Sequence, residues 1–127
     1  MNASNPVLVG QDVFLSATYG TGAQLLRLDS DKATVVWQDE DVLQSHWATS
    51  IHHNGMIFGV HGRHESEAVV RCLDPLTGDL HWSGPRGLGR ASFILVGESL
   101  LTLGERGQLT VTKATKAGYR QGSVARV

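Results

Sequence analysis

Hydrophobic residues along the chain come in short runs, broken at close intervals by polar pairs and glycine-bearing clusters. Runs at 7–9, 13–18, 23–28 and 34–37 are followed by a second series at 49–52, 56–60, 68–73 and 80–82, and by a third at 92–96, 99–103 and 108–112. Runs of this length, rich in β-branched residues and bounded by turn residues, predict strands. No segment keeps a 3.6-residue period over three turns, so helix is not expected. Residues 118–120 are the expected last strand of the third series, and 123–127 read as the opening of a further, unfinished element.

The three series are copies of one unit. Gly10-Gln11-Asp12-Val13-Phe14-Leu15, His53-Asn54-Gly55-Met56-Ile57-Phe58 and Val96-Gly97-Glu98-Ser99-Leu100-Leu101 superpose without a gap at a spacing of 43 residues. Each reads as a strand, a polar turn and a hydrophobic strand. A second hairpin follows, best formed in Cys72-Leu73-Asp74-Pro75-Leu76-Thr77-Gly78-Asp79-Leu80-His81-Trp82. Asp74 can accept from backbone amides of the turn, Pro75 presets its first position, and Gly78 can take the positive φ that closes it. Trp82 brings a large apolar surface that must dock on something. Residues 27–37 keep Asp29 and Trp37 at the same eight-residue separation, while residues 110–120 are degenerate. A period of roughly 40–50 residues with about four strands per unit marks a propeller blade. The expected fold is therefore all-β, a partial β-propeller of about three four-stranded antiparallel blades at residues 5–43, 46–84 and 89–122, forming a single domain over 1–127.

Composition narrows the function classes. The 127-residue chain is 41% hydrophobic, with 15 glycines and three prolines, as many strands joined by tight turns require. Its net charge of −1 gives no electrostatic reason to expect nucleic acid as a partner. No stretch approaches the ~18 apolar residues of a membrane span, and residues 1–6 show no signal-peptide pattern. Cys72 stands alone, which excludes an internal disulfide. The acidic link Gln38-Asp39-Glu40-Asp41 is expected to be a solvated rim loop.

The pattern Ala-x-Asp-x-x-Thr-Gly-x-x-x-Trp, met here by Asp74, Thr77, Gly78 and Trp82 with Cys72 in the alanine slot, resembles the repeat of the pyrroloquinoline-quinone-like β-propellers. In the first unit only Asp29 and Trp37 match. The resemblance spans residues 5–120 and implies that each tryptophan docks between neighbouring blades while Asp and Thr brace the hairpin. It also implies an exported parent protein, although the compartment stays open. Propellers close with roughly 4–8 blades. Three units therefore imply either the remaining blades of a longer propeller or self-association as partners.

The six histidines, His46, His52, His53, His61, His64 and His81, are the first candidates for chemistry. His52 and His53 fall on opposite faces of their strand, and no spacing matches a metal motif, so no metal is expected. In a four-strand blade, the lead-in to the innermost strand and the exit from the second lie near an axial opening. His46, Trp47, His61, Arg63, Glu105 and Arg106 are accordingly the candidate funnel and rim binding residues, because convergent polar groups in a concave place are a ligand signature. Ser16, Ser50, Ser92 and Ser99 lack a glycine-flanked elbow, and residues 84–89 are glycine-rich without the following helix a phosphate cradle needs. No catalytic residue is expected.

The quinone-dependent dehydrogenases of the resembled family imply an adjacent cysteine pair and a calcium site of Glu, Asn and Asp beside a catalytic Asp. Nothing in this sequence matches those groups. The expected function is a non-catalytic repeat segment that scaffolds protein or small-ligand binding, with no cofactor of its own. The alternative is a piece of a dehydrogenase whose quinone and calcium residues lie outside these 127 residues.

Overall fold

A computed structural model describes residues 3–127 and contains twelve strands in three four-stranded sheets. The first sheet holds β1 (Val7–Val9), β2 (Asp12–Ala17), β3 (Gly22–Leu28) and β4 (Ala33–Asp39). The second holds β5 (Ile51–His53), β6 (Met56–His61), β7 (Val69–Leu73) and β8 (Leu80–Ser83), and the third β9 (Ala91–Val96), β10 (Ser99–Gly104), β11 (Gln108–Lys113) and β12 (Gln121–Arg126). Each is an antiparallel meander in sequence order. No helix occurs among the described residues.

Two expectations need correcting. The last strand of the third sheet is β12, residues 121–126, and not 118–120, which belong to the connection before it. The hydrophobic Tyr119 suggested a strand, but its ring packs on Trp82 instead, with centroids 5.7 Å apart. Residues 123–127 thus complete a blade instead of opening a new element. The common spacing is also not uniform. Across the three first turns, Val9 pairs with Asp12, His53 with Met56 and Val96 with Ser99, so Asp12, Met56 and Ser99 are equivalent and their spacings are 44 and 43. A one-residue slip swaps faces. It escaped the sequence pattern because β6 is buried at every position from Met56 to Val60, so its hydrophobicity carries no phase.

The blades stack face on face. Phe14 and Leu25 of blade 1 join Ile57 and Leu73 of blade 2 in one core, with Leu43 of the linker. Phe58, Val70 and Cys72 on the other face of blade 2 join Leu100 of blade 3 in a second. Close packing at the first interface depends on Gly59, where a Cβ would meet the Leu43 side chain at 2.5 Å. His52 and His53 serve opposite neighbours: His52 Nδ1 lies 3.1 Å from the Leu8 carbonyl of blade 1, and His53 Nε2 lies 3.3 Å from Glu98 of blade 3.

Indole rings clamp each blade to the next. Trp37 Nε1 donates to the Pro75 carbonyl at 2.7 Å, and its ring covers Gly78, which has φ +79 and where a Cβ would meet the ring at 2.9 Å. Trp82, 9% exposed, donates likewise to Thr115 O of blade 3 at 2.8 Å. The turn beneath Trp37 is braced as its residues suggest: Asp74 Oδ1 accepts from the Leu76 amide and the Thr77 hydroxyl donates to Asp79. Asp29 is not the spatial counterpart of Asp74. Leu26 and Leu73 are equivalent, so Asp74 matches Arg27, because β3 and β4 stay paired to Leu28 and Ala33 before turning.

Candidate functional site

With the register established, one rim carries two repeated positions. The exit from the second strand is occupied by Tyr19, Arg63 and Arg106, and the lead-in to the innermost strand by Trp47 in blade 2 and Arg90 in blade 3. Both sets lie where chain direction brings loops of all three blades together.

These side chains interlock across the blades. The Arg63 guanidinium lies 4.6 Å from the Tyr19 ring centroid. Tyr19 is 5.9 Å from His46, which stands edge-on to Trp47 at 4.7 Å, and the Arg90 guanidinium lies 4.7 Å over Trp47. The result is an unbroken series of cation, three rings and cation running from blade 2 to blade 1 and back through blade 2 to blade 3. His46 is further fixed by Thr18 Oγ1 at 3.3 Å from its Nδ1. Glu105 holds Arg90 from the far side, accepting from Nε and Nη2 at 2.9 and 2.7 Å and from the Arg90 amide at 2.9 Å. The side-chain bonds to Arg90 and then its amide pull the Glu105 carboxyl down to about 2. That bidentate fork fixes the plane of the guanidinium above the indole.

Two open clefts flank the series. One of about 600 Å³ is lined by Trp47, Arg90, Ser92, Leu103 and Glu105, and one of about 700 Å³ by His64, Glu65, Arg86, Gly89 and Arg106. Trp47 is 52% exposed at the edge of the first. Arg106 is ion-paired with Glu65.

Of the six expected rim residues, His46, Trp47, Arg63 and Glu105 therefore share one network, and Arg106 borders the neighbouring cleft. His61 stands apart. Its Nδ1 accepts from the Gln44 amide at 3.1 Å and lies 3.2 Å from Arg71 Nη1, which also donates to the Asp41 and Val42 carbonyls. Burial, then the Arg71 charge, lower its pKa to about 4, so at neutral pH it is an uncharged staple between linker and blade. Tyr19 and Arg90 were missed in the sequence. Their signal was positional equivalence: Arg90 stands 43 residues after Trp47, and Tyr19 matches Arg63 once the 44-residue offset of the first blade is known.

Cys72 is buried and lacks a neighbouring cysteine, and burial pushes its thiol up to about 12. Among the described residues, no group of three or more His, Cys, Asp and Glu side chains is arranged to hold a metal ion.

No family model matches the sequence, and no curated protein is significantly similar to it. Solved structures are similar in fold. A europium-containing methanol dehydrogenase superposes with TM-score 0.71 at 16% identity, over 95% of this chain and 24% of its own length. BamB from Moraxella catarrhalis superposes with TM-score 0.68 at 15% identity, over 98% of this chain and 34% of its own. A computationally designed protein, Ika8, gives 0.65 at 11% identity, over 88% of this chain and 33% of its own. The chain spans a quarter to a third of the length of these structures. Three four-stranded meanders, stacked face on face and superposable on parts of such proteins, give the chain the fold of three consecutive blades of a β-propeller.

Proposed function

We propose that the chain is a non-catalytic propeller segment that scaffolds a binding surface for a carboxylate-bearing protein segment. The observation that carries this reading is the Arg63–Tyr19–His46–Trp47–Arg90 series, which spans all three blades on one rim. Trp, Tyr and Arg are the residue types that concentrate binding energy at protein interfaces. Here the rings and guanidinium groups are already ordered by mutual stacking and by Glu105, so less rotamer freedom is lost on binding. Arg63 stacks on Tyr19 without a carboxylate partner among the described residues, and Arg86 likewise edges the second cleft. Both are available to an anionic ligand.

A fluorescein-labelled peptide alternating glutamate with leucine should bind with a Kd in the micromolar range, and its glutamine analogue more weakly. Trp47→Ala and Arg63→Ala should each weaken binding by about tenfold or more, as truncation of an interface anchor does. Equal affinity of both peptides, or no effect of either substitution, overturns the reading. A share in a quinone-dependent dehydrogenase is the competing reading. Pyrroloquinoline quinone with calcium should leave the absorbance and Tm of the chain unchanged, and measurable binding would favour the dehydrogenase.

A further inference from the structure

The two ends of the arc expose opposite halves of one and the same interface. On blade 3, the face turned away from blade 2 carries Ile94, Leu101, Leu103 and Leu109, which line an apolar hollow of about 280 Å³. On blade 1, the face turned away from blade 2 carries Leu8, Val13, Leu26 and Val35 in register across the sheet. These are not ordinary solvated positions, since Leu8 is 71% and Ile94 58% exposed.

Register identifies what each face is built to meet. Leu101 is equivalent to Phe14 and Phe58, which bury against the next blade. Val13 is equivalent to Ile57 and Leu100, which receive the preceding blade. Blade 3 thus offers the half that docks forward, and blade 1 the half that receives.

The indole clamp is missing from both halves. The place of Trp37 and Trp82, opposite Leu25 and Cys72, falls in blade 3 at the irregular register between Thr110 and Thr112, where Gly122 and Ser123 stand. The turn that would receive such an indole is Pro75–Gly78 in blade 2, but in blade 1 it is the tight Asp29–Lys32 turn, closed by the Asp29 amide on Lys32 O and containing no glycine. Blade 3 brings no indole to the blade it meets, and the tight Asp29–Lys32 turn of blade 1 differs from both turns that hold one, at Pro75 and at Thr115. The two incomplete halves suit each other.

We propose that the two faces are covered by a second copy of this chain, blade 3 of each copy docking on blade 1 of the other. Two copies then form a closed ring of six blades, within the range of roughly 4–8 at which propellers close. Each junction joins unlike faces head to tail, and such a series ends only where the rotation closes, here on a twofold axis that relates the two junctions. The interface continues the one already built twice inside the chain, and it is independent of the rim reading.

Sedimentation equilibrium of the chain should show a dimer. Ile94→Glu and Leu8→Lys alter one half each, at positions too exposed to be needed for folding, which circular dichroism checks. Each alone should raise the dimer dissociation constant by about tenfold or more, because each places a charge in an apolar contact. Mixed in equal amounts they should dimerise again, since one junction is then unaltered and the other pairs Glu with Lys. Leu101→Glu with Val13→Lys is the second pair. A monomeric wild-type chain overturns the proposal. So do open polymers larger than a dimer, single variants that dimerise normally, and a mixture of well-folded variants that stays monomeric.

Discussion

Single residues carry the joints between blades. Trp82 fills the space between blades 2 and 3, with Phe58 on one side and Tyr119 on the other. Trp82→Ala should cost about 3–5 kcal/mol in denaturant unfolding, as other buried aromatic truncations do. A loss below about 1 kcal/mol would mean that the neighbouring rings close over the gap. Gly78→Ala should also destabilise, because it combines a left-handed backbone with a methyl group driven into the Trp37 ring. His61 adds a pH dependence. Its imidazole takes a proton near pH 6.5 in the unfolded chain and near 4 in the folded one. Between those values the unfolded chain binds more protons, so stability rises with pH. This contribution is complete above about pH 6.5 and is lost as pH falls towards 4. His61→Asn, which keeps an acceptor for the Gln44 amide, should flatten the slope of Tm against pH across that window. An unchanged slope would assign it to other groups.

At the level of strands and turns, most of the molecule was legible in the sequence. Two-residue turns such as Asn54-Gly55 and the apolar runs around them announce hairpins, because Asn and Gly at positive φ match the twist of the strands they join. Where the pattern failed, an apolar residue was serving a neighbour. Tyr119 looked like strand material but lies in a connection as a lid for Trp82, and the true strand, β12, is exposed at every residue and so has no alternation to display. The same contrast sets local stability. Amide exchange should be fastest in β12, the uncovered margin of its sheet, and slowest in β6, buried from Met56 to Val60 between two blades. Comparable protection in the two strands would show that β12 is covered in solution.

Seen whole, the chain is a short stack in which each blade touches only its neighbours, so its stability is close to a sum of blade and interface contributions. The rim network belongs to this level, which is why sequence reading recovered only part of it. His46, Trp47, Arg63 and Glu105 were found from their place near strand ends, whereas the partners Tyr19 and Arg90 emerge only when loops of different blades are brought side by side. His61 shared the spacing of the rim residues, yet its ring turns between blade and linker, a direction set by Arg71 on the adjacent strand.

The clamps also have a direction. Trp37 finds its acceptor 38 residues downstream and Trp82 33 residues downstream, never upstream. A ribosome delivering this polypeptide therefore releases Trp37 and Trp82 before the carbonyls that will hold them, and each newly made hairpin is captured by the one already waiting. Assembly is handed forward along the chain, and blade 3 has no ring to pass on.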